Sequence, residues 1–288
     1  MAEICLTYLN SQQVRTLSAS CAPDPQGARF LSYCSAYWGV HAKRGLSGDA
    51  RSLALELLRG NYGQISTKLL LGRVPDLYLG RFDNCSPFNG LHCASFFGIV
   101  EVVATLIEIK YYDINEGDFM GCTPLTWASR NGHEEVVKML VGRDEVNPDV
   151  ADEGGRTPLS YAAEGGYGEV VRLLLEREEV NPDKPDNDGR TPLSYAAGGE
   201  HEGVVKLLLE RDDTSPDEPD NDGRTPLSCA AGGGHEGVVK LLLERDDVNP
   251  DKSDNDGRTL LSYAAGGRTR GGGETTTRTG RSQSRRDR

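Results

Sequence analysis

Histidine, serine, cysteine and clustered aspartate are the residues with which this chain could do chemistry. His133, His201 and His235 are separated by multiples of 34 residues, as a metal ladder would be. A stacked repeat, however, sets equivalent atoms roughly 10 Å apart, whereas shared ligation needs ~2 Å. Their expected role is to cap the turn before a helix. "DNDG" recurs from Asp186, Asp220 and Asp254 and resembles the start of a calcium loop. Such a loop needs ligands at its first, third, fifth and twelfth positions around a sixth-position Gly. With Gly189 sixth, Lys184 falls first; with Gly223 sixth, Cys229 falls twelfth. A tight hairpin turn is the better reading.

Nucleophilic catalysis needs a nucleophile beside a base. Each Ser of "PLSYAA" recurs at one repeated position, and His92 alone is a histidine particular to one repeat. The seven cysteines, Cys5, Cys21, Cys34, Cys85, Cys93, Cys122 and Cys229, are irregularly spaced and contain no C-x-x-C pair. Neither a zinc site nor a disulfide framework is indicated. The expectation is a non-enzyme without metal or cofactor, its thiols reduced in the cytoplasm or nucleus.

Charge divides the chain of net charge −12 into three. Residues 1–86 are net +3, residues 87–267 net −20 and residues 268–288 net +5. So acidic a middle repels phosphates and argues against nucleic acid as partner. No apolar run reaches the ~20 residues a membrane helix needs. The best stretch, Ile99 to Ile109, is broken by Glu101 and Glu108. The start carries no cationic segment followed by a long apolar core, so secretion is not expected.

The elements that position these residues are repeats. Thr123-Pro124-Leu125 recurs at Thr157, Thr191 and Thr225, and as Thr259-Leu260-Leu261, each 34 residues on. "EEVVKML", "GEVVRLLLE" and two copies of "EGVVKLLLE" keep the same period. In each unit Thr is suited to cap a helix and Pro to its first position. A short Ala-rich helix such as Pro192 to Ala197 then ends at Gly198-Gly199. The second helix, for example Glu202 to Glu210, carries Val204, Val205, Leu207, Leu208 and Leu209. They span too wide an arc for one buried stripe, so each unit needs neighbours on two sides. Asp188-Gly189 suits a tight turn with positive φ.

The pattern T-P-L…A-A…G-H-x-x-V-V-x-L-L-L resembles the ankyrin repeat over residues 87–267: five full units and the first helix of a sixth. The resemblance implies an all-α solenoid and a protein-binding role. Two departures stand out. The family's His after T-P-L is present only as His92, with Thr126, Ser160, Ser194, Ser228 and Ser262 elsewhere, which weakens a bond between repeats. The family's Gly after the second helix is replaced by segments such as "RDDVNPD", where Asn249 is expected to take part of the left-handed role.

Residues 1–86 do not repeat. "ARFLSYCSAYWGVHAKR" places Phe30, Cys34, Tyr37, Trp38 and His41 at helical spacing, "DARSLALELLRG" and "GQISTKLLLG" read as two shorter helices, and "CAPDPQG" as a loop. Cys5-Leu6-Thr7-Tyr8-Leu9 and Tyr37-Trp38-Gly39, ahead of a repeat array, make the order similar to filamentous-fungal NACHT–ankyrin proteins. In those, a helical segment joins an NTP-binding switch domain to the repeats. That domain's phosphate loop is absent, so the resemblance implies a receptor fragment with its NTPase upstream.

One repeated position holds Cys93, Trp127, Tyr161, Tyr195, Cys229 and Tyr263. It fills the core between first helices, or forms a partly exposed aromatic row on a concave face. The finger position holds Val150, Lys184, Glu218 and Lys252, and its variation fits a recognition surface or an unconstrained solvated one. Trp127, Tyr161, Tyr195 and these four finger residues are the candidate binding surface. The expected partner is a protein with a basic or polar patch.

The tail "TRGGGETTTRTGRSQSRRDR" has no apolar residue and is expected to be disordered. Back-translated with suitable synonymous codons and read one base on, it yields His-Glu-Gly-Val-Val-Lys-Leu-Leu-Leu-Glu-Arg-Asp-Glu-Val-Asn-Pro. That is the repeat's second helix, starting 34 residues after His235. A one-base gain near codon 268, in the gene or in its record, is the expectation, with a frayed last repeat, a tendency to aggregate and a truncated, non-functional product as one outcome.

Overall fold

The computed structural model describes residues 1–9, 37–42, 45–59, 88–110 and 112–267. Phe30, Cys34, "CAPDPQG", "GQISTKLLLG" and the tail 268–288 lie outside them. Every regular element among the described residues is a helix. Ahead of the repeats stand α1 (Ala2–Leu9), α2 (37–42) and α3 (Gly48–Arg59). Helix pairs follow: α4 (Gly90–Phe97) with α5 (Val100–Glu108), α6 (Pro124–Arg130) with α7 (Glu134–Val141), and α8 (Pro158–Glu164) with α9 (Gly168–Leu175). Then come α10 (Pro192–Gly198) with α11 (Glu202–Leu209), α12 (Pro226–Gly233) with α13 (Glu236–Leu243), and the unpaired α14 (Leu260–Gly267). First helices stack on first helices and second on second. The all-α ankyrin-type solenoid is the observed fold.

Local chemistry starts each pair. Thr191 is extended at φ −85°, its hydroxyl accepts the Ser194 N–H at 3.2 Å, and Pro192 follows. Thr123, Thr157 and Thr225 do the same. In the first pair Asn89 replaces Thr and accepts the N–H groups of Leu91 and His92. The hairpins turn through glycine: Gly189 has φ 81°, and a Cβ there would stand 2.8 Å from the Asn221 nitrogen. Hairpins are then laced together. Asn187 donates its N–H to Gly154 O and its side-chain amide to Glu153 O. Asn221 and Asn255 repeat both bonds on the hairpin before them.

From the second repeat on, the second helices end without a left-handed residue, whereas Lys110 with φ 48° follows α5. Glu176, Glu210 and Glu244 are right-handed caps with φ near −70°, and the positive-φ residues other than Gly are Lys110 and Glu200 among those described. The expected left-handed Asn249 is therefore corrected. Its side chain instead accepts the Asp251 N–H at 3.0 Å, closing a local turn. The helix-end carbonyls are met from the next repeat: Arg177 donates to Val141 O at 2.6 Å, Arg211 to Leu175 O at 3.0 Å and Arg245 to Leu209 O at 3.2 Å. A cation at a helix C-terminus also complements its partial negative charge.

One contiguous core runs from Cys5 to Val248. In α11, Val204, Val205 and Leu208 are buried while Leu207 and Leu209 are half-buried, so two neighbours share the wide apolar arc. Each fully buried branched side chain contributes about 1.5–3 kcal/mol. The N-terminal helices close the first repeat. Trp38 packs edge-on against Phe97 with centroids 5.3 Å apart, and the Tyr112 hydroxyl donates to Leu58 O.

One apolar core position turns polar in a single repeat. Val146, Val180 and Val248 are buried at equivalent places, but Thr214 stands there in the fourth repeat with its hydroxyl buried and unpartnered. Desolvating a hydroxyl without a bond costs about 1–3 kcal/mol. Thr214→Val is expected to raise unfolding free energy by about 1 kcal/mol. Urea titration of the two chains checks this, and an unchanged or lower midpoint rejects it.

Candidate interaction surface

The aromatic row and the hairpins meet at one carboxylate per hairpin, buried at Asp118, Asp186, Asp220 and Asp254 and half-buried at Asp152. Asp186 Oδ1 accepts the N–H groups of Asp188 and Arg190 at 2.9 and 2.8 Å, while Oδ2 accepts the Tyr195 hydroxyl at 2.5 Å. Asp152 holds Tyr161 at 2.6 Å, and Asp118 holds the Trp127 indole N–H at 2.9 Å. Where Cys229 replaces the aromatic, Arg224 donates its Nε to Asp220 at 2.9 Å instead. Both oxygens of the "DNDG" aspartate are thus engaged inside the fold.

Trp127 is 1% exposed and Tyr161 4%, with Tyr195 half-buried. The first members, Cys93, Trp127 and Tyr161, fill the core, while Tyr195, Cys229 and Tyr263 are half-buried. Guanidinium groups cover rings of the row: Arg130 lies over Trp127 and Tyr161 at 5.6 and 5.1 Å, and Arg156 over Tyr161 and Tyr195 at 4.0 and 4.3 Å. Such stacking adds about 0.5–2 kcal/mol as desolvation increases. This alternation of rings and cations escaped the sequence reading. The stacked cations, Arg130 at the end of α6 and Arg156 after "DEGG", lie in different motifs, and their spacing alone does not show that they meet the rings.

The finger position behaves differently in alternate repeats. Lys184 Nζ reaches Asp149 of the preceding repeat, donating to O at 2.6 Å and Oδ2 at 2.9 Å. Lys252 does the same to Asp217 at 2.8 and 3.2 Å. Val150 is half-buried. Glu218 is exposed, and the residue it should latch, Asp183, accepts the Ser215 N–H. Burial first pushes the Asp183 carboxyl above its usual range; the Ser215 bonds oppose this, and Asp213 and Glu218 add to it.

The histidine ladder does something other than cap its own turn. His133, His201 and His235 occupy N-cap positions without a side-chain cap bond. Each ring instead donates to the first helix of the preceding repeat: Phe96 O, Glu164 O and Gly198 O, at 2.8, 2.8 and 2.9 Å. His92 lies buried, donates to Glu116 O at 2.8 Å and accepts the Asn89 N–H at 3.2 Å. Desolvation holds its pKa down at about 4, so it is neutral. Ser160 and Ser194 spend their hydroxyls on their own Thr caps. Burial pushes the Cys93 thiol up to about 12, and the Cys122 thiol up likewise.

These features define a stacked helical-repeat solenoid whose polar side chains bond within and between repeats. A profile for ankyrin repeats matches in three copies, over residues 57–152, 143–218 and 213–270, and the chain belongs to the ankyrin-repeat family. Ankyrin repeats are generally protein–protein interaction modules. No curated protein matches the chain. No helix among the described residues is long and apolar enough to cross a membrane.

Two outcomes follow from the geometry. Glu218→Lys, by copying the two existing latches onto Asp183, is expected to stabilise by about 0.5–1 kcal/mol, read as a higher melting temperature; a fall rejects the latch. Burial, with the Asp186 bond next, pushes the Tyr195 phenol from 10.0 up to about 12. A group whose folded pKa is raised lends stability that is full below the unfolded value and lost as pH climbs through the folded one. Stability should therefore fall between pH 10 and about 12, and Tyr195→Phe should blunt that fall in pH-dependent melts. An identical alkaline profile counts against the pairing.

Proposed function

We propose that the array is a non-catalytic scaffold that binds a protein bearing a basic or polar patch through its hairpin side. The observation that carries this is where the cations go. Lys184, Lys252, Arg177, Arg211 and Arg245 are spent on carbonyls and carboxylates between or within repeats. Glu178, Asp212, Glu218 and Asp246 stand exposed around them. With these cations engaged, the exposed acids of a region of net charge −20 would offer a partner a periodic, preformed acidic pattern. Such a surface raises association rate and selects by charge. Protonated buried thiols and hydroxyls committed to caps support the absence of catalysis.

Capture of a binding protein on the immobilised chain, followed by titration with salt, tests the reading. Binding is expected to weaken as ionic strength rises, and Asp212→Lys with Glu218→Lys to weaken it about tenfold through lost charge complementarity, with the melting temperature held or raised. Capture that ignores both salt and charge reversal overturns it.

A further inference from the structure

The sixth repeat exposes what every earlier repeat buries. Leu227 is 1% exposed, while Leu261 at the same position is 79% exposed. Ala230 and Ala231 are buried, but Ala264 and Ala265 are exposed. Val205 is buried, and Val239, one repeat on, is half-exposed. Ala231, Gly234, Val239, Leu260, Leu261 and Ala264 line an open cleft of about 610 Å³ between α13 and α14.

The shape of the missing occupant is written one repeat earlier. There α13 packs beside α11 and against α12, using Val238 and Leu242. The row α7, α9, α11, α13 continues directly into the cleft. Its next member must be a second helix of the G-V-V-K-L-L-L kind. The tail from Thr269 as translated has no apolar residue to supply one. Shifted by one base, the same stretch can encode His-Glu-Gly-Val-Val-Lys-Leu-Leu-Leu-Glu-Arg-Asp-Glu-Val-Asn-Pro, the first twelve residues of which match His235–Asp246. The tail residues set the first and last base of each regrouped codon, apart from the choices at Arg and Ser. Only the middle base is broadly free, so agreement over the whole helix is highly constrained.

We infer that this cleft is the seat of the sixth repeat's second helix, carried in the adjacent reading frame of the stretch that specifies residues 269–285. Its Val pair and Leu triplet would cover Val239, Leu261, Ala264 and Ala265 as α13 covers their counterparts. A second copy of the chain, or a helix from another protein, are the competing occupants.

The test sequences the genomic DNA and transcript across codons 262–288. The full chain is then expressed beside the product of the same gene with one base removed at codon 269. Compatible codons, amide exchange in Leu260–Gly267 slowed roughly tenfold, and lost binding of an apolar dye are expected of the restored chain. Val239→Asp should cancel that gain in the restored chain and leave the original chain's melting nearly unchanged. Codons that forbid the regrouping overturn the inference, as does unchanged exchange in the restored chain. Concentration-dependent protection of Leu260–Gly267 in the original chain also overturns it, in favour of a second copy.

Discussion

A carboxylate at the root of each hairpin organises the array. Asp118, Asp152, Asp186, Asp220 and Asp254 each bind the backbone N–H groups that shape their own turn. Each also takes a donor from beyond the hairpin or at its foot: Trp127, Tyr161, Tyr195, Arg224 or Tyr263. One side chain therefore sets both the hairpin and its angle to the first helix. A buried charge without such donors would cost several kcal/mol. The aromatic position can change from Trp to Tyr, or to Cys with Arg moved in, because the constraint is a donor at that oxygen and not a ring.

From that angle the rest propagates by translation. Hairpins held alike can be bridged by the same asparagine, and helices held alike can be bridged by the same arginine and histidine. No repeat needs all of these bonds. The third substitutes Tyr167 for histidine, and Arg143 of the first junction pairs with Glu145. Stability in such a stack is a sum of near-neighbour terms, so single lapses such as Thr214 and Glu218 are tolerated where they fall.

How much was legible follows from the range of each interaction. The period, the Thr-Pro helix starts and the Asp-Gly turns depend on a few consecutive residues, and they can be read directly. The broad apolar arc of "VVKLLL" announced two neighbours because one helix cannot bury it alone. The Asp186–Tyr195 bond needs a hairpin and a helix brought together, and the Arg211–Leu175 and His201–Glu164 bonds cross repeats. Spacing shows that such residues recur, but not what they touch. The roles assigned to Asn249 and to the histidines were for that reason local, and the structure moved the histidines across the junction.

The two ends of the array are unequal for the same reason. At the first repeat, Trp38, Leu57 and Leu58 join the core and supply a neighbour that is not itself a repeat. At the last, α14 keeps its stacking on α12, and among the described residues its outer side borders an open cleft. Among the described residues, α14 has no second helix to make the bonds that earlier ones make backward, histidine to the preceding first helix and arginine to the preceding second. The free side of α14 is thus not a surface of a different kind. It is an inner face of the stack, with its alanines and leucines in the same order as in the buried junctions before it.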